Sequence, residues 1–213
     1  MITDLFMQLV DLVVLIVGEM GYLGIFLGMV IESSFFPFPS EAILLPAGVL
    51  VAKGDMNFLI VLFLGIFGSL CGALINFFLA LYIGRAGIDF LISRYGKIVF
   101  LTKDKLKNSD KYFEKNGEIT TFVGRLIPVV RQLISIPAGF SKMNIFKFSL
   151  FTSFGAGLWV AILIIMGIIF QNNISFIEEN MMILSVVMLL FSGIICVSYL
   201  LTKTNKRKKI NKK

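Results

Sequence analysis

Four charged residues, Glu32, Glu41, Arg125 and Arg131, stand inside long apolar stretches of a 213-residue chain that is 57% hydrophobic and only 15% charged. An ionised side chain at the centre of a membrane helix costs on the order of 2.5–3.5 kcal/mol on insertion scales, so each of the four needs a partner or a purpose. The glutamates flank a Pro37-Phe38-Pro39 break, and the arginines flank Pro128. A guanidinium presents planar paired donors that match phosphate. A carboxylate in apolar surroundings takes up a proton more readily, and a neighbouring arginine opposes that uptake. Two chemistries are open. In one, Arg125 and Arg131 bind a phosphate head group while Glu32 and Glu41 couple its movement to protons or another ion. In the other, all four form a buried ion-pair network that locks two segments together. The two are compatible, because a network broken by an arriving phosphate is a gate.

Other chemistry is thin. The chain has no histidine, which removes His-based acid/base catalysis and His metal ligation, and neither a phosphate-binding loop nor a zinc-protease motif is present. Cys71 and Cys196 lie in apolar runs and read as small core residues. No catalytic residue, metal or cofactor is expected. Glu19, Asn76, Tyr82 and Trp159 read as boundary, packing or interface residues, and Gly65, Gly68, Gly72, Gly155 and Gly157 as places where helices approach closely.

The elements that must position the four charges follow from hydropathy and charge. The net charge of +7 sits in the middle of the chain and in a tail reading KTNKRKKINKK, which is a topology signal and not a nucleic-acid patch. Residues 57–84, 145–170 and 181–201 are long and apolar enough to span. With the basic tail 202–213 cytoplasmic, the helix before it starts outside and the polar stretch 85–118 lies inside as an amphipathic linker. Segments 21–52 and 119–141 are then too apolar for loops, and each must enter and leave on one face as a re-entrant hairpin. A pair of ordinary short spans is the competing reading. Residues 1–18 suit either an interfacial helix or a further span.

A self-comparison ties these segments together. Pro37 and Pro46-Ala47-Gly48 are spaced as are Pro128 and Pro137-Ala138-Gly139; Met56-Asn57 then faces Met143-Asn144, and Phe67-Gly68 faces Phe154-Gly155. Pro37, Pro39 and Pro128 read as hairpin apices, and Pro46, Gly48, Pro137 and Gly139 as turns in the second legs. The expected fold is an all-α integral membrane protein of two inverted repeats, each a re-entrant helical hairpin plus a transmembrane helix, with an additional C-terminal transmembrane helix.

At these residues the chain resembles the DedA family, the bacterial branch of the VTT (SNARE-associated) domain proteins. The resemblance covers about 21–170 and rests on Ile31-Glu32-Ser33, Pro37-x-Pro39-Ser40-Glu41 and Pro46-Ala47-Gly48. It rests also, and more specifically, on Phe122-x-Gly124-Arg125-x-x-Pro128-x-x-Arg131 and Pro137-Ala138-Gly139-x-x-x-Met143. The family usually has Pro-Gly-Glu where this chain has Pro39-Ser40-Glu41. Membership implies opposed re-entrant hairpins, essential acidic residues at Glu32 and Glu41, and essential arginines at Arg125 and Arg131. It further implies lipid translocation in the bacterial cytoplasmic membrane: recycling of undecaprenyl phosphate, or movement of phosphatidylethanolamine, or proton-dependent antiport supporting membrane homeostasis. The partners implied are a lipid substrate and the membrane, with no nucleic acid and with self-association open. An enzyme acting on lipid phosphates and a purely structural membrane protein are the rivals from other classes.

Overall fold

The computed structural model describes residues 19–34, 39–95, 113, 116–169 and 171, without the side chains of 85–95, 128 and 129. The N-terminal segment 1–18, the apex residue Pro37, most of the 85–118 linker, the 181–201 span and the basic tail lie outside the described residues.

Those described are helical apart from turns. In order they form α1 (Tyr22–Ser33), α2 (Glu41–Lys53) and α3 (Phe58–Tyr95, broken by a non-helical Gly84). Then come α4 (116–125), α5 (Pro128–Leu133), α6 (Ser135–Phe140) and α7 (Ile145–Ile169). Among the described residues, only Phe58–Gly84 and Ile145–Ile169, 27 and 25 residues, are long and apolar enough to cross a membrane. The 12 and 13 residues of α1 and α2 would reach about 18–20 Å.

The repeated Met-Asn has a local cause. Asn57 Oδ1 accepts the backbone N–H groups of Leu59 and Ile60 at 2.9 and 3.3 Å, and Asn144 Oδ1 accepts those of Phe146 and Lys147 at 3.0 and 3.2 Å. Each asparagine thus caps the start of a long helix. Pro128 opens α5 after an extended Ile127, the conformation a following proline imposes.

Pro46, Gly48, Pro137 and Gly139, expected as turns, are helical. Pro46 and Gly48 lie within α2, and Pro137 and Gly139 within α6. Pro137 is third in α6, where a missing N–H breaks no intrahelical bond; Pro46 deprives α2 of one. The turns come later, at the left-handed Gly54 (φ 86°) and Lys142 (φ 51°).

What the Pro-Ala-Gly glycines provide is contact. A Cβ on Gly48 would collide with the Ile164 carbonyl oxygen and lie 2.9 Å from Gly167 Cα; one on Gly139 would collide with the Phe77 carbonyl oxygen and lie 2.8 Å from Ala80 Cβ. Phe77 stands 21 residues after Met56, and Ile164 21 after Met143, so the two contacts correspond along the repeat. The first pair of short helices therefore divides its packing, α1 against α3 and α2 against α7, while α6 crosses back onto α3 and α3 packs on α7. Two apolar clusters fill the contacts. One joins Ile25, Met29, Leu44, Val61, Val160 and Leu163; the other stacks Phe77 on Phe148, ring centroids 4.6 Å apart, beside Ile134 and Ala138. Phe63, Phe146, Phe154 and Ile169 point outward.

Candidate functional site: a buried ion pair where the short helices break

Glu32 is the penultimate residue of α1 and is 1% exposed. A negative charge at the carbonyl end of a helix opposes the helix dipole, so burial there demands a cation. Arg131 of α5 supplies it, its Nη2 bonded to Glu32 Oε1. The same Nη2 donates to Ser40 Oγ at 2.7 Å, Trp159 Nε1 donates to that hydroxyl at 3.1 Å, and the guanidinium sits 5.0 Å over the Trp159 ring. Ser40 stands just before α2, but its hydroxyl makes no cap; it is aimed at the arginine instead.

The other face of Glu32 is also held. Gln132 Nε2 donates to Oε1 at 3.4 Å and Ser33 Oγ to Oε2 at 2.9 Å. Ser33 Oγ lies 2.7 Å from Ser69 Oγ; since the single Ser33 proton is engaged on Glu32, Ser69 donates to Ser33. Asn76 Nδ2 donates to the Ser33, Ser34 and Gln132 carbonyls at 3.2, 3.0 and 3.5 Å, gathering the free carbonyl end of α1. Residues of α1, α3, α5, α7 and the α2 entry thus meet at one buried pair.

Arg125 ends α4 and is 2% exposed. It packs against Gly155 of α7, where an added Cβ would lie 2.6 Å from Arg125 Cβ. Its Nη2 donates to Ser135 Oγ at 3.0 Å, and its buried Nε has no partner among the described residues. Arg131 bonds only through Nη2, leaving its Nε and Nη1 without a hydrogen-bond partner among the described residues. Two neighbouring buried guanidiniums therefore keep donors for an incoming oxyanion.

The VTT domain model matches residues 38–169. The chain belongs to the VTT domain family. Similar to it are an "alkaline phosphatase-like protein" of Lactococcus lactis (31% identity; 92% of each chain), undecaprenyl phosphate transporter A of Bacillus subtilis (33%; 70% of this chain, 72% of the relative) and protein DedA of Escherichia coli (29%; 77% and 71%). No solved structure matches. The matched region takes in both arginines and Glu41, and Glu32 lies just before it.

Within this VTT domain protein the four-member network does not form. Glu32 and Arg131 pair, Arg125 turns to Ser135, and the Glu41 carboxylate, though buried in the first turn of α2, makes no ion pair or hydrogen bond among the described residues. Trp159 and Asn76, which sequence alone presents as packing residues, are part of the site, joined by Ser33, Ser40, Ser135 and Gln132. The sequence holds signals for some: a single tryptophan and one asparagine deep inside a span. Tyr82 is exposed. Pro39 supplies the carbonyl that Ala42 N–H bonds at 3.1 Å, starting α2.

Proposed function

We propose that this VTT domain protein carries undecaprenyl phosphate across the cytoplasmic membrane, with the phosphate held by Arg125 and Arg131 and its movement coupled to protonation of Glu32 and Glu41. The observation that carries this reading is the pair of buried arginines with unused N–H donors, one of them held by a carboxylate that a stronger oxyanion can displace. The phosphate exchanges for Glu32 on Arg131; Glu32, left at the carbonyl end of α1, takes a proton, and Glu41, already without a partner among the described residues, is free to do the same. Inverted repeats with opposed re-entrant hairpins give such a site access from both sides. The short reach of α1 and α2, the paired asparagine caps and the corresponding Gly48 and Gly139 contacts support that architecture. The basic tail and linker support a cytoplasmic C-terminus. The name of the B. subtilis relative supports the substrate.

The name of the L. lactis relative raises phosphoester hydrolysis, so the test must separate transport from cleavage. The full chain is reconstituted in liposomes with labelled undecaprenyl phosphate or labelled phosphatidylethanolamine, with and without a proton gradient. Undecaprenyl phosphate should change leaflet faster with the gradient, with no inorganic phosphate released. Equal movement of phosphatidylethanolamine would remove the selectivity, and phosphate release would make the protein an enzyme.

A further inference from the structure

A cavity of about 600 Å³ opens at the end of the molecule where α4 and α7 begin, apart from the Glu32–Arg131 pair. Phe113 and Met143 contribute apolar wall; Asn116, Glu118, Lys142 and Lys147 contribute polar groups. Glu118 Oε1 holds Lys147 Nζ at 2.6 Å, while Lys142 has no ion-pair partner among the described residues. Among the described residues, two lysines against one glutamate leave the wall cationic.

Lys142 is the informative residue. Among the described residues it alone, other than glycines, has a positive φ. Its N–H bonds the Gly139 carbonyl at 3.0 Å and the next N–H bonds Ala138 at 3.1 Å; after α2, Gly54 and Asp55 make the same two bonds, to Val51 and Leu50, at 3.1 and 3.0 Å. The two turns are the same device, and glycine is the residue that fits it without steric cost. The first turn has that glycine. The second keeps a strained lysine, and it is the one that lines the cavity.

We propose that this cavity docks a phosphate monoester before it reaches the buried arginines, with Lys142 as the charge that captures it. The lipid form of that ligand rests on the transport reading above; the site does not. From the cavity, α4 leads from Gly117 to Arg125, eight residues or about 12 Å along its axis. A head group captured here lies within a short displacement of the central donors.

The experiment uses the full chain in nanodiscs carrying Glu32→Gln and Arg131→Gln together, which removes both members of the central pair at once. Farnesyl phosphate is titrated in, with inorganic phosphate as competitor. Binding should persist in this background. Adding Lys142→Gly should raise the thermal midpoint by about 2–4 °C, because strain is relieved, yet weaken farnesyl phosphate about tenfold through loss of a charge-assisted contact. Lys142→Asn, neutral and tolerant of the left-handed turn, should weaken binding equally, so a loosened turn in the glycine variant cannot explain the loss. Competition by inorganic phosphate supports a site for free phosphate as well; no competition supports the lipid form alone. Absence of binding in the double-glutamine background, or undiminished affinity in both Lys142 variants, overturns the site. No transport is measured, so failure of the transport reading leaves this result intact.

Discussion

Lysine in place of Arg131 should leave the protein folded and inserted but cut transport about 100-fold, the equivalent of about 2.7 kcal/mol. A single guanidinium nitrogen, Nη2, serves both Glu32 and Ser40, the planar group rests on Trp159, and Nε and Nη1 remain for a substrate. A lysine ammonium can satisfy Glu32, which is why stability should survive. It cannot at the same time stack on the indole and offer a planar fork to phosphate. Arg125→Lys should lose activity for the same reason, since its Nε is a buried donor without a partner among the described residues. Liposome transport of labelled undecaprenyl phosphate checks both variants. Full activity in both would reduce the arginines to a charge requirement.

Breaking the Glu32–Arg131 pair from one side should lower stability by about 3–5 kcal/mol, and removing it from both sides much less. With Arg131→Gln, Glu32 is left at the carbonyl end of α1 with only Ser33 and Gln132 as partners. With Glu32→Gln, a buried guanidinium keeps only Ser40 and the Trp159 face. The double variant removes both members of the pair, so neither is left facing a missing partner. Unfolding of the four proteins in mild detergent should therefore show a coupling of about 2 kcal/mol or more. Additive effects would mean that the pair does not join α1 to α5. Glu41→Gln, removing a group without a partner among the described residues, should change stability little.

How much of the fold and the site is legible in the amino-acid order follows from the range of each interaction. Glu32, Arg125 and Arg131 stand out because charge in an apolar stretch is costly wherever it lies in the fold. The helix starts at Asn57 and Asn144 are local, fixed by bonds to residues two and three positions ahead. Ser40 with Trp159 and Asn76 with Ser33 join residues 119 and 43 apart, a separation that no periodicity encodes. Glu41 invites a place in the network because it shares the break with Glu32. The chain instead turns Glu32 towards α5 and leaves Glu41 on α2, which packs on α7. Pro-Ala-Gly suggests turns because proline and glycine usually punctuate them. Here glycine serves close packing of one helix on the backbone of another.

Infrared difference spectroscopy on farnesyl phosphate binding tests the central claim most directly, because it reads whether a phosphate displaces the Glu32 carboxylate from Arg131. The full chain and its Glu32→Gln variant are compared in nanodiscs, with ligand binding measured in the same samples. The expected result is a ligand-induced loss of a carboxylate band with gain of a protonated carboxyl band in the parent, with the Glu32 contribution to both absent from Glu32→Gln. Farnesyl phosphate bound to the parent with no Glu32-dependent band would contradict it, leaving the ion pair closed and the phosphate elsewhere.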